Sequence, residues 1–220
     1  AYEIRRSLVG SEMCIRDRNR HNIAFLQYGN TMHFVVTNLN DPIVSYDNRT
    51  NFVDKMIINP YSDRTCPCGR RGCVESELTP SATMSKLREV FSAEKTPFLY
   101  EAARGSFENV NQDMITMAYE KDDKAVKEIL NGELTLLAVL LNNLYFSTNP
   151  QKIVLHQFKF QNEKAFQKLK DAVTEIGGAL VSSKIELSII EDKHRFLSGC
   201  ALAIRELFFN RGGFDTSSNN

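Results

Sequence analysis

Residues 66–75 read Cys66-Pro67-Cys68-Gly69-Arg70-Arg71-Gly72-Cys73-Val74-Glu75. Three thiols crowd into this stretch, and Gly69 and Gly72 let the backbone fold tightly between them. A short loop of this kind can bring three sulfurs around one soft cation, and Zn²⁺ prefers thiolate and imidazole ligands in a tetrahedron. The same spacing also suits three free buried thiols, or one disulfide with a thiol left over. The other two cysteines, Cys14 and Cys200, lie far away in sequence. A disulfide framework would spread its cysteines more evenly, so a reducing, cytoplasmic setting is expected.

Downstream of the loop the chain alternates between helical and strand patterns. Thr79 is a good N-cap with Pro80 at the first helical position, which predicts a helix to about residue 92. A second helix is expected over 110–120. A third begins near Asp122 or Asp123 and carries Val126, Ile129, Leu130, Leu134, Leu137, Leu140, Leu141 and Leu144 at three-and-four spacing. It stops before Pro150, and Gly132 is expected to bend it. A strand over 152–156, a helix over 163–174, a strand over 184–190 and an apolar helix over 196–209 complete the pattern. Such alternation argues for an α/β fold with parallel strand pairings.

Upstream, residues 22–28 and 31–37 read as two strands around Gly29 and Asn30. A turn at 38–42 leads to a short strand at 43–46, and residues 47–65 are loop-like apart from a strand-like 56–58.

Lys+Arg and Asp+Glu number 27 each, so net charge gives no reason to expect a nucleic-acid-binding face. No run approaches the ~20 apolar residues of a membrane span. Residues 1–18 have no sustained period and resemble a translated sequencing adapter, so they are set aside as non-native. The native gene is then expected to continue upstream, leaving 19–210 as the structured part and 211–220 as a disordered tail.

The cysteine stretch is similar to the signature of the ROK family (repressor, open reading frame, sugar kinase), in which C-x-C-G-x-x-G-C-x-E follows a His a short way upstream. The hairpin before it, the helices after it and the closing apolar helix agree in order. The resemblance implies an actin-like (RNase H-like) sugar-kinase fold, here mainly its C-terminal lobe. It assigns Cys66, Cys68 and Cys73 to a structural zinc and Glu75 to a sugar.

The departures from the family pattern are as informative. Aligned through Asn59-Pro60, the family's His falls on Lys55, whose protonated amine is a poor zinc ligand. A sugar-binding Glu falls on Phe52. The family's phosphate turn falls on Gly29-Asn30-Thr31-Met32-His33 with one glycine left, and its adenine-side turn on Val154-Leu155-His156-Gln157-Phe158 with none. Phosphate turns need glycine because the backbone N–H groups must approach the oxygens closely. The family's catalytic Asp falls upstream of residue 19, so no catalytic residue is assigned.

The expected function is therefore the sugar-sensing domain of a ROK transcriptional repressor, inactive as an enzyme, with DNA contacted only through a domain further upstream. The alternative is an ATP-dependent, glucokinase-like sugar kinase. A homo-oligomer is implied by the resemblance, and no membrane partner is expected. His33 and His156 sit in expected strands as ordinary core or surface residues, and His21 and His194 receive no role.

Overall fold

The computed structural model describes residues 23–29, 31–37, 53–156 and 163–188. The expectations for residues 1–18, the strand at 43–46, Phe52, the helix at 196–209 and the tail lie outside the described residues, as do Gln157 and Phe158.

A four-stranded sheet runs in the order β2-β1-β3-β4. Strands β1 (Ile23–Gln27) and β2 (His33–Thr37) form the expected antiparallel hairpin, with Gln27 opposite His33. Strand β3 (Lys152–His156) lies parallel to β1, pairing Gln27 with His156, and β4 (Ile185–Leu187) lies parallel to β3. Strand β1 is buried on both faces. Ala24 and Leu26 join the main core, while Ile23 and Phe25 form a second cluster with Val154. That is why its sequence is a continuous apolar run rather than an alternation.

Six helices fill the connections among the described residues. They are α1 (Val74–Leu78), α2 (Pro80–Val90), α3 (Pro97–Ala102), α4 (Gln112–Glu120), α5 (Lys124–Thr148) and α6 (Glu163–Ser182). The Thr79 side chain accepts a hydrogen bond from the Ala82 amide and caps α2, as expected. Asn111 caps α4 in the same way through Met114.

Helix α5 is the centre of the core. Val126, Leu130, Leu137, Leu140 and Leu141 on its apolar stripe are at most 3% exposed. By length and composition it could cross a bilayer, but half of its apolar window is buried inside this fold, as befits a core helix. It ends at Asn149, whose left-handed φ of 43° closes the helix ahead of Pro150.

The structure corrects three expectations. Residues 56–58 form no strand: Ile57 makes one isolated bridge to Cys73, after a 3₁₀ turn over Val53–Lys55. Helix α6 runs past residue 174 to Ser182, broken only at Gly178 (φ 81°). Strand β4 is shorter than the expected 184–190, and Ser188 after it is not in the strand.

Candidate metal centre and sugar site

The cysteine loop is a tight hairpin. The Cys66 amide donates to the Arg70 carbonyl at 2.8 Å, and the Gly69 amide donates to the Cys66 carbonyl at 2.8 Å. Gly69 (φ 84°) and Gly72 (φ 67°) both occupy the left-handed region. Gly72 has a second constraint, because a Cβ there would run into the backbone carbonyl of Asn59. That contact exists because the Gly72 carbonyl accepts from the amides of both Ile58 (2.9 Å) and Asn59 (3.2 Å). The loop is thereby stitched to the segment before it.

The fold brings all three predicted thiols together, with their sulfurs within 4.8 Å of one another. The Cys68 and Cys73 sulfurs are 3.7 Å apart, and all three cysteines are free thiols. Zinc–sulfur bonds of about 2.3 Å in a tetrahedron put sulfurs about 3.8 Å apart, so the spacing fits a zinc ion. No His, Asp or Glu among the described residues joins the cluster within the same reach.

Arg70, hydrogen-bonded to the exposed Cys68 thiol, holds it down to about 6. Burial pushes Cys66 up to about 12 and raises Cys73 as well. The loop thus presents at its tip the sulfur that ionises most readily, beside two whose burial disfavours the thiolate.

The residue at the family's His position does face this loop. Lys55 closes the 3₁₀ turn, and its carbonyl accepts from the Arg70 guanidinium at 2.9 Å. Its ammonium pairs with the Glu75 carboxylate rather than pointing a lone pair at a metal. Glu75 stands in the first turn of α1 and also accepts from the Cys66 thiol at 3.1 Å. Lys55 and then Cys66 hold the Glu75 carboxyl below its usual range, and Glu75 in turn raises Lys55. This Lys55–Glu75–Cys66 chain was not anticipated.

A buried polar network behind α1 was missed as well. Glu77, 3% exposed, accepts from Ser62 and pairs with Lys86 at 3.5 Å. Lys86 also reaches Glu133 of α5 at 3.3 Å, and the Thr83 hydroxyl contacts both Glu133 oxygens, at 2.8 and 2.9 Å. The signal was present in the sequence. Glu133 sits on the apolar stripe between Leu130 and Leu137, where an acid needs a buried partner.

The carboxyl ends of β1 and β3 lie side by side. The Tyr28 amide donates to the His156 carbonyl at 2.9 Å. Met32 is fully buried, and Thr31 Oγ1 lies 2.6 Å from His33 Nε2 across the turn. His156 is 5% exposed, and its Nδ1 is hydrogen-bonded to Ser188 Oγ at 3.0 Å. Both histidines are therefore in strands, as expected, His33 bonded to Thr31 across its turn and His156 buried at the end of its strand.

No curated protein is matched at the sequence level. Solved structures match clearly in fold. A ROK hexokinase from Thermus thermophilus superposes with a TM-score of 0.69 at 11% identity, covering 93% of this chain and 65% of that one. A ROK family transcriptional regulator, a homolog of the E. coli MLC protein, gives 0.68 at 16%, covering 90% of this chain and 49% of that one. A ROK family glucokinase from Streptomyces griseus, in complex with glucose and AMPPNP, gives 0.67 at 13%, covering 93% and 67%. The chain thus spans about half to two thirds of the length of these structures, and it resembles the kinases and the regulator almost equally. The fold is the actin-like sugar-kinase fold. The sequence pattern of the ROK family itself matches residues 54–194, from the 3₁₀ turn through the cysteine loop and beyond β4, and the chain belongs to the ROK family.

Proposed function

We propose that this chain is the sugar-sensing part of a cytoplasmic ROK-family transcriptional repressor that does not phosphorylate its sugar. The observation that carries this reading is the pair of strand ends, the carboxyl ends of β1 and β3. Ligands of open α/β sheets bind at that edge. Phosphoryl transfer depends on positioning and on charge stabilisation at the phosphates. Here Thr31 and His33 bond to each other across one turn, and a buried His156 ends the neighbouring strand. That arrangement supports a site without a nucleotide cradle.

In this reading Cys66, Cys68 and Cys73 hold a zinc ion whose role is to fix the loop, and Glu75 contacts the sugar. The two roles are linked through Cys66. A thiolate has no proton to donate, so Cys66 as a metal ligand would leave Glu75 Oε2 to Lys55 alone. Lys55 donates to that same oxygen and keeps the carboxylate charged, so the sugar hydroxyl would be met by Oε1. DNA is contacted through a domain preceding this one, and the intact protein is a homo-oligomer.

The test is a coupled ADP-release assay of the intact protein against hexoses, pentoses and N-acetylated amino sugars, alongside calorimetric sugar binding. Sugar binding without turnover is expected. Turnover near ~1 s⁻¹ or above, the low end of ordinary enzymes, would replace this reading with that of a kinase.

A further inference from the structure

We propose that Cys68 is an oxidation site, at which peroxide forms a sulfenic acid that condenses with Cys73 and dismantles the three-thiol cluster.

The three sulfurs are not equivalent in access. Cys68 is exposed at the tip of the hairpin, while Cys66 and Cys73 are buried. A small oxidant therefore meets Cys68 first, without any opening of the fold. Its neighbours Pro67, Gly69, Arg70 and Arg71 are exposed as well, so the tip of the loop is open to solvent. A sulfenic acid that forms beside a second thiol condenses with it in preference to further oxidation.

The geometry also chooses the second thiol. The Cys73 sulfur is 3.7 Å from that of Cys68, whereas the Cys66 thiol is engaged with the Glu75 carboxylate. A disulfide needs a sulfur–sulfur distance of about 2.05 Å, so the gap to close is under about 2 Å. Cys68 can cover it by turning at the loop tip. A Cβ on the adjacent Gly69 would meet nothing within 4 Å, so the tip has room to adjust.

The chemistry balances with hydrogen peroxide as the oxidant. The Cys68 thiolate attacks one peroxide oxygen, the O–O bond breaks, and hydroxide leaves. The Cys73 thiolate then attacks the Cys68 sulfur, the S–O bond breaks, and a second hydroxide leaves. Two thiolates have lost two electrons in total, and peroxide has gained them. Only Cys66 remains of the cluster, and a single thiolate does not retain a zinc ion. The crosslink rests on the three sulfurs alone and the zinc loss on the proposed metal site, and both hold whether the protein senses a sugar or phosphorylates one.

The experiment uses the full chain with Cys14→Ser and Cys200→Ser, loaded with zinc and treated with hydrogen peroxide. Zinc release is followed with a chromogenic chelator, and the protein by intact mass and tryptic mapping. The expected result is loss of the mass of one hydrogen molecule, together with stoichiometric zinc release. A disulfide should join tryptic peptide 65–70 to 72–86, with fragmentation placing it on Cys68, and dithiothreitol should reverse it. Cys68→Ser should abolish this crosslink. Conversion of Cys68 to sulfinic or sulfonic acid with Cys73 still alkylatable would overturn the proposal. So would a crosslink carried by Cys66, or thiols and metal left unchanged by peroxide.

Discussion

Gly72→Ala and Gly69→Ala, measured side by side, separate backbone strain from steric collision in the cysteine loop. Both glycines hold a left-handed φ, which costs an L-residue about 1–2 kcal/mol. At Gly69 that is the whole expected cost, because a Cβ there meets nothing within 4 Å. At Gly72 the new methyl meets the Asn59 carbonyl, which is backbone and cannot rotate away. The strand of chain must separate, which puts at risk the bonds from Ile58 and Asn59 to the Gly72 carbonyl and from the Gly72 amide to Arg64. At about 1 kcal/mol for each lost bond, Gly72→Ala should cost about 3 kcal/mol more than Gly69→Ala. Urea unfolding of the reduced, metal-free chain reads this directly. With a slope of about 1–3 kcal/mol/M, the two midpoints should differ by about 1–3 M. Zinc affinity should fall in the same order, because Gly72 fixes the base of the loop and Gly69 only its tip. Equal midpoints for the two variants would refute the packing argument.

Metal analysis of chain purified without chelator should find close to one zinc per chain, falling sharply in Cys68→Ser. Lys86→Met leaves Glu77 and Glu133 as buried acids without their shared cation and should destabilise the fold by about 3–5 kcal/mol, seen as a lower thermal midpoint. Asp123, at the start of α5, accepts from the Leu99 amide at 3.3 Å and so ties α3 to α5; Asp123→Ala should cost about 1–2 kcal/mol in urea unfolding. The Glu75 carboxyl is depressed by Lys55, so it contributes stability that is complete above the ordinary glutamate range and lost as pH falls through the depressed folded value. Lys55→Met should remove most of that acid-side loss in a pH series of unfolding free energies.

Much of the fold could be read from periodicity and caps, but some elements escaped for identifiable reasons. Helix α5 announced itself through its leucine stripe, and α2 through Thr79-Pro80. The same Thr-Pro signal stands at Thr96-Pro97 and opens α3, yet the helix it starts is only six residues long and leaves no period to read. Helix α1 is hidden inside the cysteine motif, since its N-cap is Cys73 and makes no side-chain cap bond. The Gly177-Gly178 pair reads as a helix end. In the structure the helix kinks there and resumes, and Gly177 leaves room for the Asn142 side chain of α5. In the candidate site the three thiols were legible because they are neighbours in sequence. The Lys55–Glu75 pair was not, because those residues are brought together by tertiary bonds, among them the Ile57–Cys73 bridge and the bond from the Val74 amide to the Met56 carbonyl.

Cys73 has three attachments: it pairs with Ile57, supplies a sulfur to the cluster, and precedes the first turn of α1. The hairpin and α1 therefore cannot open separately. They form one cooperative unit, whose amide protons should exchange with solvent at a common rate. On the proposed zinc reading the metal would bind the closed form, and its removal should accelerate exchange at Val74, Ser76 and Glu77 together with the loop amides. Most of the sheet, which shares no residue with this unit, should keep its own slower exchange.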